Sequence, residues 1–445
     1  MAKQEEKLKR VMNTKDAVAL SVGLIIGAGV MSLSGIAIGR TGTSVSVAYL
    51  ISSVLTILVS LPLVQMAAAS PTAGAGYKYA SRMLGSWAGF LTAILTIPMF
   101  ISLAVYSMSF AQYFLVAVPS ANMYVVAGAV LTLFYVLNLA GTNVFKHVQN
   151  IIVYVLAFAL AIFIVFGLPK VDYATYFSPE KFLPFGIGGL VNSSFLLYFA
   201  LYGGAQVANM GSEMKDPGKA IPIATIGATI GVAVIYALIG FVASGVLPYE
   251  QVAYQPLSVV AEYTMPKALF WVFIIGGGLG ATASTINGMI ATQPRPLIAP
   301  CDDGWLPKKL GYINKRGVPV YLLTLAYITA MIPIIFRISI ETVSDTLIGA
   351  GGMAGWLIPI ALIRMMKKRP DLYDASPFKI PRKLVVPIAI LGLIASVFQF
   401  IVMFITYSRV QQIVIIVFFL VVLVLGLALQ KKVPIEDDLQ SFQAE

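Results

Sequence analysis

Long apolar stretches alternate with short polar connectors along nearly all of the 445 residues. A helix that crosses the hydrocarbon core of a bilayer needs roughly 20 predominantly apolar residues. Twelve stretches reach that length, and we expect each of them to form a membrane-spanning helix. Their approximate bounds are 16–39, 44–69, 86–118, 121–140, 149–168, 187–211, 220–247, 267–298, 319–337, 344–366, 384–407 and 409–430.

The polar connectors are too short to bury a core of their own, so we expect no soluble domain. Charged residues make up 11% of the chain, whereas a soluble domain carries about 25%. The pattern therefore predicts an all-α membrane protein. Polar segments at residues 1–15 and 431–445 flank the spans, and we expect the tail to be loose.

The distribution of basic residues predicts the orientation of the chain. With the N-terminus placed inside, few of the 30 Lys and Arg residues fall in outer segments. Those few are Arg40, Lys170, Lys181, Lys267, Arg337 and Arg409. Basic residues concentrate in cytoplasmic segments, so both ends are predicted to be cytoplasmic. The net charge of +11 is thereby explained by membrane topology, and we expect no nucleic-acid partner.

Two of the apolar stretches are interrupted by glycines. The first, SVGLIIGAGVMSLSGIAIG, contains Gly27 and Gly29, and the second, SSFLLYFALYGGAQVANMGSEM, contains Gly203 and Gly204. Backbone inside a bilayer stays helical unless it lines a cavity, because hydrocarbon offers no hydrogen-bond partners. Paired interruptions in two halves of a chain point to a substrate site near the membrane midplane.

The positions of the interruptions predict an internal repeat. Five spans over residues 16–168 and five over 187–366 form two units with broken helices 1 and 6. An odd number of spans inverts the second unit relative to the first. Helices 11 and 12, within 384–430, are additional.

The two breaks favour opposite charges. The outer half of helix 1 begins anew at its break, and a helix N-terminus with free N–H groups attracts anions. Helix 6 enters from outside, so its first half ends with free carbonyls that suit an ammonium group. An α-amino acid carries both groups. The candidate substrate-binding residues are Ile26, Gly27, Ala28, Gly29, Phe199, Ala200, Leu201, Tyr202 and Gly203.

No acidic residue lies in a span interior; the nearest are Asp16, Glu213, Glu341 and Asp345. A substrate with two positive charges therefore has no buried counter-charge to meet, which favours a zwitterion with a neutral side chain. The single His147 falls in a connector, where an ordinary interfacial role is expected. The single Cys301 excludes an internal disulfide.

Small polar residues in span 8 are candidates for holding a sodium ion. Hard cations prefer oxygen ligands, and the candidate set is Gly23, Ile26, Ser284 and Thr285. The alternative is hydrogen bonding between helices. No other metal and no organic cofactor is expected.

Four motifs in order resemble the amino acid–polyamine–organocation permeases. They are VGLIIGAGV, SPTAGAGYKYASRMLGSWAGF, FALYGGAQVANMGSEMKDPGKAIP and ASTINGMIATQPRPLIAPCDDGWLPKKLGYINKRGVPV. The resemblance implies a broken-helix inverted-repeat fold with alternating access. It also implies that residues 27–29 take the substrate carboxylate, that the backbone of residues 200–202 takes the amine, and that Phe199 is a gating aromatic.

This chain departs from the family pattern at several positions. Gln65 stands where many members have Glu, and Gly204 and Ala205 replace a bulky residue and an acid, which suggests a wider pocket. Leu156 occupies the position of the lysine found in proton-coupled members. Sodium coupling or obligate exchange therefore remain as the expected mechanisms.

The sequence as a whole predicts a secondary transporter of amino acids in the plasma or inner membrane, with membrane lipid as its surroundings. An amine or polyamine antiporter of the same fold is the nearest alternative, and a solute channel is another. An intramembrane enzyme is disfavoured because the spans hold no nucleophile–base pair. The sequence predicts no particular oligomeric state.

Overall fold

The computed structural model describes residues 8–27, 29–338 and 352–441. Across these ranges the chain consists of helices and connectors without a β-strand, which confirms the all-α class. The α-helices, numbered in chain order, are α1 (Thr14–Ile25), α2 (Ser34–Thr41), α3 (Val45–Ala69), α4 (Ala75–Leu84), α5 (Ser86–Thr96), α6 (Ser102–Ala117), α7 (Met123–Leu139), α8 (Thr142–Gly167), α9 (Pro179–Phe182), α10 (Gly186–Leu201), α11 (Pro217–Pro222), α12 (Ala228–Gly245), α13 (Tyr249–Val252), α14 (Ser258–Thr264), α15 (Lys267–Val272), α16 (Gly280–Thr292), α17 (Ile298–Asp303), α18 (Val320–Ile335), α19 (Leu357–Lys368), α20 (Pro370–Ala375), α21 (Arg382–Thr406) and α22 (Arg409–Leu429).

Nine helical stretches of the described residues are long and apolar enough to cross a membrane. They are Thr14–Met31, Ser34–Ala69, Ser86–Ala117, Thr142–Lys170, Pro179–Asn209, Pro217–Gly245, Lys267–Asp303, Arg382–Val402 and Arg409–Leu429. The predicted fourth and ninth spans correspond to the shorter apolar helices α7 and α18. Most of the predicted tenth span, including Glu341 and Asp345, lies outside the described residues.

The outer surface is apolar, as a lipid environment requires. Helices α21 and α22 expose large aliphatic side chains, and Ile405 and Val410 are each 71% exposed. A water-soluble monomer rarely presents a continuous apolar surface of this kind. The exposed apolar belt and the helix lengths together make the chain an integral membrane protein.

Three buried apolar clusters fill the interior of the described part of the chain, and α1 joins the two larger ones. Leu20 and Leu24 belong to the first cluster, whereas Ile25 and Ile26 belong to the second. The first cluster also contains Leu8 and Leu439, from opposite ends of the described chain. We call this end of the molecule the terminal face. The end of α1 therefore lies where the two clusters meet, deep inside the bundle.

The C-terminal tail is docked as far as residue 441, where the described chain ends, although the sequence predicts a loose segment. Leu439 is buried in the first cluster, and Asp438 forms an ion pair with Arg82. Burial of one leucine and pairing of its neighbours compensate the conformational entropy lost on ordering the segment. Sequence composition alone did not reveal these partners.

The side-chain amide of Gln65 joins two separate segments of the chain. Its side chain is fully buried in α3. The Gln65 Oε1 atom accepts a hydrogen bond from the Ile380 N–H at 2.8 Å, and its Nε2 atom donates to the Phe378 carbonyl at 3.0 Å. A carboxylate accepts hydrogen bonds but donates none. The glutamine therefore fastens the connector after α20 to α3 with both of its polar atoms.

Replacing Gln65 by Glu tests this assignment. The Gln65→Glu variant places a buried carboxylate against the Phe378 carbonyl, so we expect a loss of about 1–3 kcal/mol in folding free energy. Thermal denaturation of the purified protein in detergent measures the change. The exposed Gln251 provides a matched control, and Gln251→Glu is expected to leave stability unchanged. Equal stability of both variants would contradict the assignment.

Candidate functional site

The first interruption is a real end of an α-helix. Helix α1 ends at Ile25, and Ile26 is extended, with φ −82° and ψ 93°. The Ile26 N–H still bonds to the Val22 carbonyl, and the chain bends at Gly27. A π-helical turn, Gly29–Leu33, then leads into α2. Ala28 lies outside the described residues. We call residues 26–29 the first break.

Hydroxyl groups of α16 pair with the carbonyls that the first break sets free. Ser284 Oγ lies 3.1 Å from the Gly23 carbonyl oxygen and 3.4 Å from that of Ile26. Thr285 Oγ1 lies 3.0 Å and 3.5 Å from the same two oxygens. A methyl group added to Gly27 would overlap the Thr285 hydroxyl. The structure thus brings the four predicted sodium ligands together in one cluster.

Two tyrosines, which sequence reasoning did not identify, complete the pairing around the first break. The Tyr236 hydroxyl donates to the Ile25 carbonyl at 3.0 Å, and the Tyr113 hydroxyl donates to the Met31 carbonyl at 3.1 Å. Both tyrosines are buried. Unpaired carbonyls in an apolar interior cost free energy, so these hydroxyls stabilise the broken conformation.

The α-helical geometry of the second stretch ends just before Gly203 and Gly204, but the chain there is not unwound. Helix α10 ends at Leu201, and the chain continues as a 3₁₀-helix, Tyr202–Asn209, that contains both glycines. We call this 3₁₀-helix the second break. A 3₁₀-helix retains i→i+3 hydrogen bonds, so the chain tightens here and fewer carbonyls become free than an unwound segment would offer. The side chain of Phe199 is outside what the structure describes.

Each break packs closely against the helix that leads into the other break. A Cβ atom added to Gly29 would lie 2.8 Å from the Ala200 Cβ atom, and one added to Gly203 would overlap the Leu24 carbonyl. Any side chain at these positions therefore separates the two segments. Gly29 and Gly203 allow the closest approach of backbone to backbone.

Gly204 serves the same close approach. Ser21 Oγ donates to the Gly204 carbonyl at 3.3 Å. A Cβ atom added to Gly204 would lie 2.7 Å from Ser21 Oγ and 2.9 Å from Ile25 Cδ1. The space beside Gly204 is filled by α1 in this conformation. The sequence-based interpretation of a wider pocket at Gly204 and Ala205 is therefore not supported.

Leu156, at the position of the lysine in proton-coupled members, is fully buried in α8. Leu156 packs beside Gly280, since a Cβ atom added to Gly280 would lie 4.0 Å from the Leu156 Cβ atom. Gly280 immediately precedes Ala281 in the sequence. Ala281 provides a third carbonyl for Ser284 and Thr285. An apolar side chain therefore lies beside the hydroxyl cluster.

Comparison with known proteins identifies the family of the chain. A family model described as amino acid permease matches residues 16–439. The chain belongs to the amino acid permease family.

Curated relatives cover most of this permease at low identity. It is 25% identical to a branched-chain amino acid permease of Bacillus subtilis over 414 residues, which is 86% of each chain. It is 24% identical to a gamma-aminobutyric acid permease of the same organism, over 85% of this chain and 83% of the relative. A cationic amino acid transporter of Arabidopsis thaliana is 25% identical, over 78% of this chain and 61% of the relative.

The permease contains a chain of side-chain amides beside the first break, which sequence reasoning missed. Asn138 Nδ2 donates to Asn287 Oδ1 at 3.0 Å, and Asn287 Nδ2 donates to Gln149 Oε1 at 2.9 Å. The Gln149 Nε2 atom has no partner among the described residues and packs against Gly23. The signal in the sequence was the presence of three amides in apolar spans 4, 5 and 8.

Two carboxylates are buried in ion pairs that were not identified from the sequence. Glu213 is fully buried and pairs with Arg295, whose side chain is 4% exposed. Thr142 Oγ1 donates to Glu213 Oε2 at 2.7 Å. Asp16, also buried, lies 3.5 Å from Lys146 Nζ. Both carboxylates lie at the end of a span or in a connector, where the sequence places them, and both are buried and paired with basic side chains.

Removing the carboxylate of Glu213 tests the importance of its ion pair. Breaking a buried pair from one side leaves the other charge uncompensated, at a cost of about 3–5 kcal/mol. We therefore expect Glu213→Gln to lower the thermal stability of the purified permease strongly, and Arg295→Gln to do the same. Glu180 is exposed, and Glu180→Gln is the matched control. A wild-type melting curve for Glu213→Gln would show that the pair contributes nothing.

Proposed function

We propose that this permease is a secondary transporter that carries a neutral α-amino acid across the membrane by alternating access, as a symporter or an exchanger. The observation that carries the proposal is that each break packs against the helix leading into the other, Gly29 against Ala200 and Gly203 against Leu24, inside a protein of the amino acid permease family. Two interrupted helices that meet in an apolar interior place backbone polar groups where a small solute can use them.

The overall architecture is part of the same proposal. Twelve spans form two inverted five-helix repeats, residues 16–168 and 187–366, and two further helices follow. Both ends of the chain lie in the cytoplasm, since most basic residues fall in the segments on that side. The terminal face is then the cytoplasmic face.

Each end of the substrate meets one break. The N–H groups of residues 27–29, at the start of the outer half of helix 1, bind the carboxylate. Carbonyl groups of Ala200, Leu201 and Tyr202 bind the ammonium group, and Phe199 closes over the substrate. Ala200 and Gly29 are in contact in the present conformation, so the two breaks separate slightly when a substrate enters between them.

The burial of charge supports a neutral substrate side chain. The buried carboxylates of Glu213 and Asp16 are paired with Arg295 and Lys146. A polyamine with a second positive charge therefore has neither of them available. The similarity to a branched-chain amino acid permease is in keeping with this choice. An amine antiporter is the alternative that the uptake experiment below separates.

The hydroxyl cluster supports sodium as the coupling ion. The hydroxyls of Ser284 and Thr285 each lie within hydrogen-bond distance of the same three carbonyl oxygens, those of Gly23, Ile26 and Ala281. Two hydroxyl protons serve three carbonyls, so acceptors outnumber donors. A monovalent hard cation satisfies such a set of oxygens.

Uptake into proteoliposomes tests the proposed substrate. We expect saturable uptake of neutral amino acids and stimulation by unlabelled substrate on the opposite side. Alanine, leucine and phenylalanine compete to report the size of the side chain, and putrescine and agmatine test the amine alternative. Transport of the amines alone would contradict the proposal, and flux without stimulation from the opposite side would indicate a channel.

The Gly29→Leu variant links uptake to the breaks. The added side chain overlaps Ala200, so we expect substrate binding to be lost while the protein is still produced. Gly231 is the matched control because a Cβ atom there meets nothing within 4 Å. Unchanged substrate affinity in Gly29→Leu would remove residues 27–29 from the carboxylate site.

Thr285→Val tests the sodium assignment. The substitution preserves shape and removes one ligand, and a hydrogen bond or ligand to a charged group is worth about 1.5–3 kcal/mol. We expect the sodium concentration for half-maximal uptake to rise at least about tenfold. Thr282→Val is the control, since its hydroxyl bonds only to carbonyls of its own helical segment. If uptake by the wild type does not depend on a sodium or a proton gradient, the permease is instead an obligate exchanger.

A further inference from the structure

The described end of the tail is held on the terminal face by acidic side chains. Asp438 Oδ1 lies 2.8 Å from Arg82 Nε, and Asp437 Oδ2 lies 3.2 Å from an Arg369 guanidinium nitrogen. The carbonyl of Leu439 accepts a hydrogen bond from Arg369 at 3.1 Å. We call residues 437–439 the tail clamp.

Arg82 forms ion pairs with Asp438 of the tail clamp and with Asp303 of α17. Its side chain is 2% exposed, and its guanidinium forms two hydrogen bonds with Asp303, one of them 3.0 Å long. Burial by itself lowers the pKa of Arg82, but the carboxylates of Asp303 and Asp438 more than offset this effect, so the pKa is raised. Arg82 stays charged, and its two acids come from distant parts of the chain.

Arg369 provides the second anchor. It follows α19 directly and also pairs with Asp371 at 2.9 Å. The carboxylates of Asp371 and Asp437 raise the pKa of Arg369 above its ordinary value, and the largest cause is the hydrogen bond that Arg369 donates to Asp371. Leu439, the last residue of the tail clamp, is 5% exposed. An apolar side chain and two ion pairs therefore hold the same short segment.

The tail clamp joins connectors that belong to different helices. Arg82 lies in α4, which follows α3, and its partner Asp303 ends α17, which follows the helix that carries Ser284 and Thr285. Arg369 lies between α19 and α20. An earlier part of the tail contacts the start of α5, because Ser86 Oγ donates to the Val433 carbonyl. Separation of these connectors at the terminal face strains or breaks the clamp.

We propose that the tail clamp is an autoinhibitory strap that resists opening of the terminal face and thereby limits the turnover of transport. The inference rests on the proposed alternating access, which requires this face to open in every cycle. Asp437 and Asp438 keep 31% and 23% of their side-chain surface exposed. Ion pairs of this kind are weak and screened by salt, so the strap is reversible.

A spin label reports docking without any transport measurement. The label is attached at the exposed Gln440→Cys on a Cys301→Ser background, which removes the only native cysteine. We expect an immobilised spectrum for this protein and a mobile one after Asp437→Asn with Asp438→Asn. The neighbouring exposed acid Glu436 gives the matched control, and Glu436→Gln keeps the label immobilised. A mobile label on the otherwise unchanged tail would overturn the proposal.

Amino acid exchange in proteoliposomes then tests the consequence. Asp437→Asn with Asp438→Asn is expected to raise turnover about threefold to tenfold, as the loss of two partly exposed ion pairs predicts, with KM within about twofold of wild type. About 0.5 M salt raises wild-type turnover in the same way but has little effect on the double variant. Released label with unchanged or lower turnover would overturn the strap. Absence of any amino acid transport by the wild type would refute the proposed function instead, while the spectra still report docking.

Discussion

Every backbone carbonyl inside a bilayer needs a partner within the protein, because lipid tails offer none. The end of α1 meets this requirement with side chains from other helices. Ser284 and Thr285 of α16 reach the carbonyls of Gly23 and Ile26, and Tyr236 reaches that of Ile25. The broken conformation is therefore a property of three helices rather than of one. A deeply placed cluster of polar atoms follows from it, and the proposed ion and substrate sites depend on that cluster.

The two breaks solve the same problem in different ways. Helix α1 ends and the chain extends at Ile26, so its carbonyls turn to foreign donors. Helix α10 instead tightens into a 3₁₀-helix that keeps most of its bonding local. Contact at Gly29 and Gly203 joins the two. The first break therefore has more carbonyls without a partner in their own helix, and the hydroxyl cluster lies there.

Several buried charges of this permease lie in ion pairs that join distant segments of the chain. Glu213 with Arg295 and Asp16 with Lys146 lie beneath the first break, and Arg82 pairs with acids of α17 and of the tail. Each of these pairs joins residues that are far apart in the sequence. The buried pairs contribute to folding, whereas the partly exposed tail pairs are weak enough to open and close.

The apolar stretches, the glycine interruptions and the hydroxyls of span 8 were sufficient to predict an all-α membrane protein, the end of the first helix, and the grouping of Gly23, Ile26, Ser284 and Thr285. These features are local: span length, backbone freedom and small polar residues are visible in one segment. The form of the second break, the filling of the space beside Gly204, and the pairing of Glu213 and Asp438 were decided by tertiary structure. Each depends on which side chain from a distant segment arrives at a given atom, and no single segment carries that information.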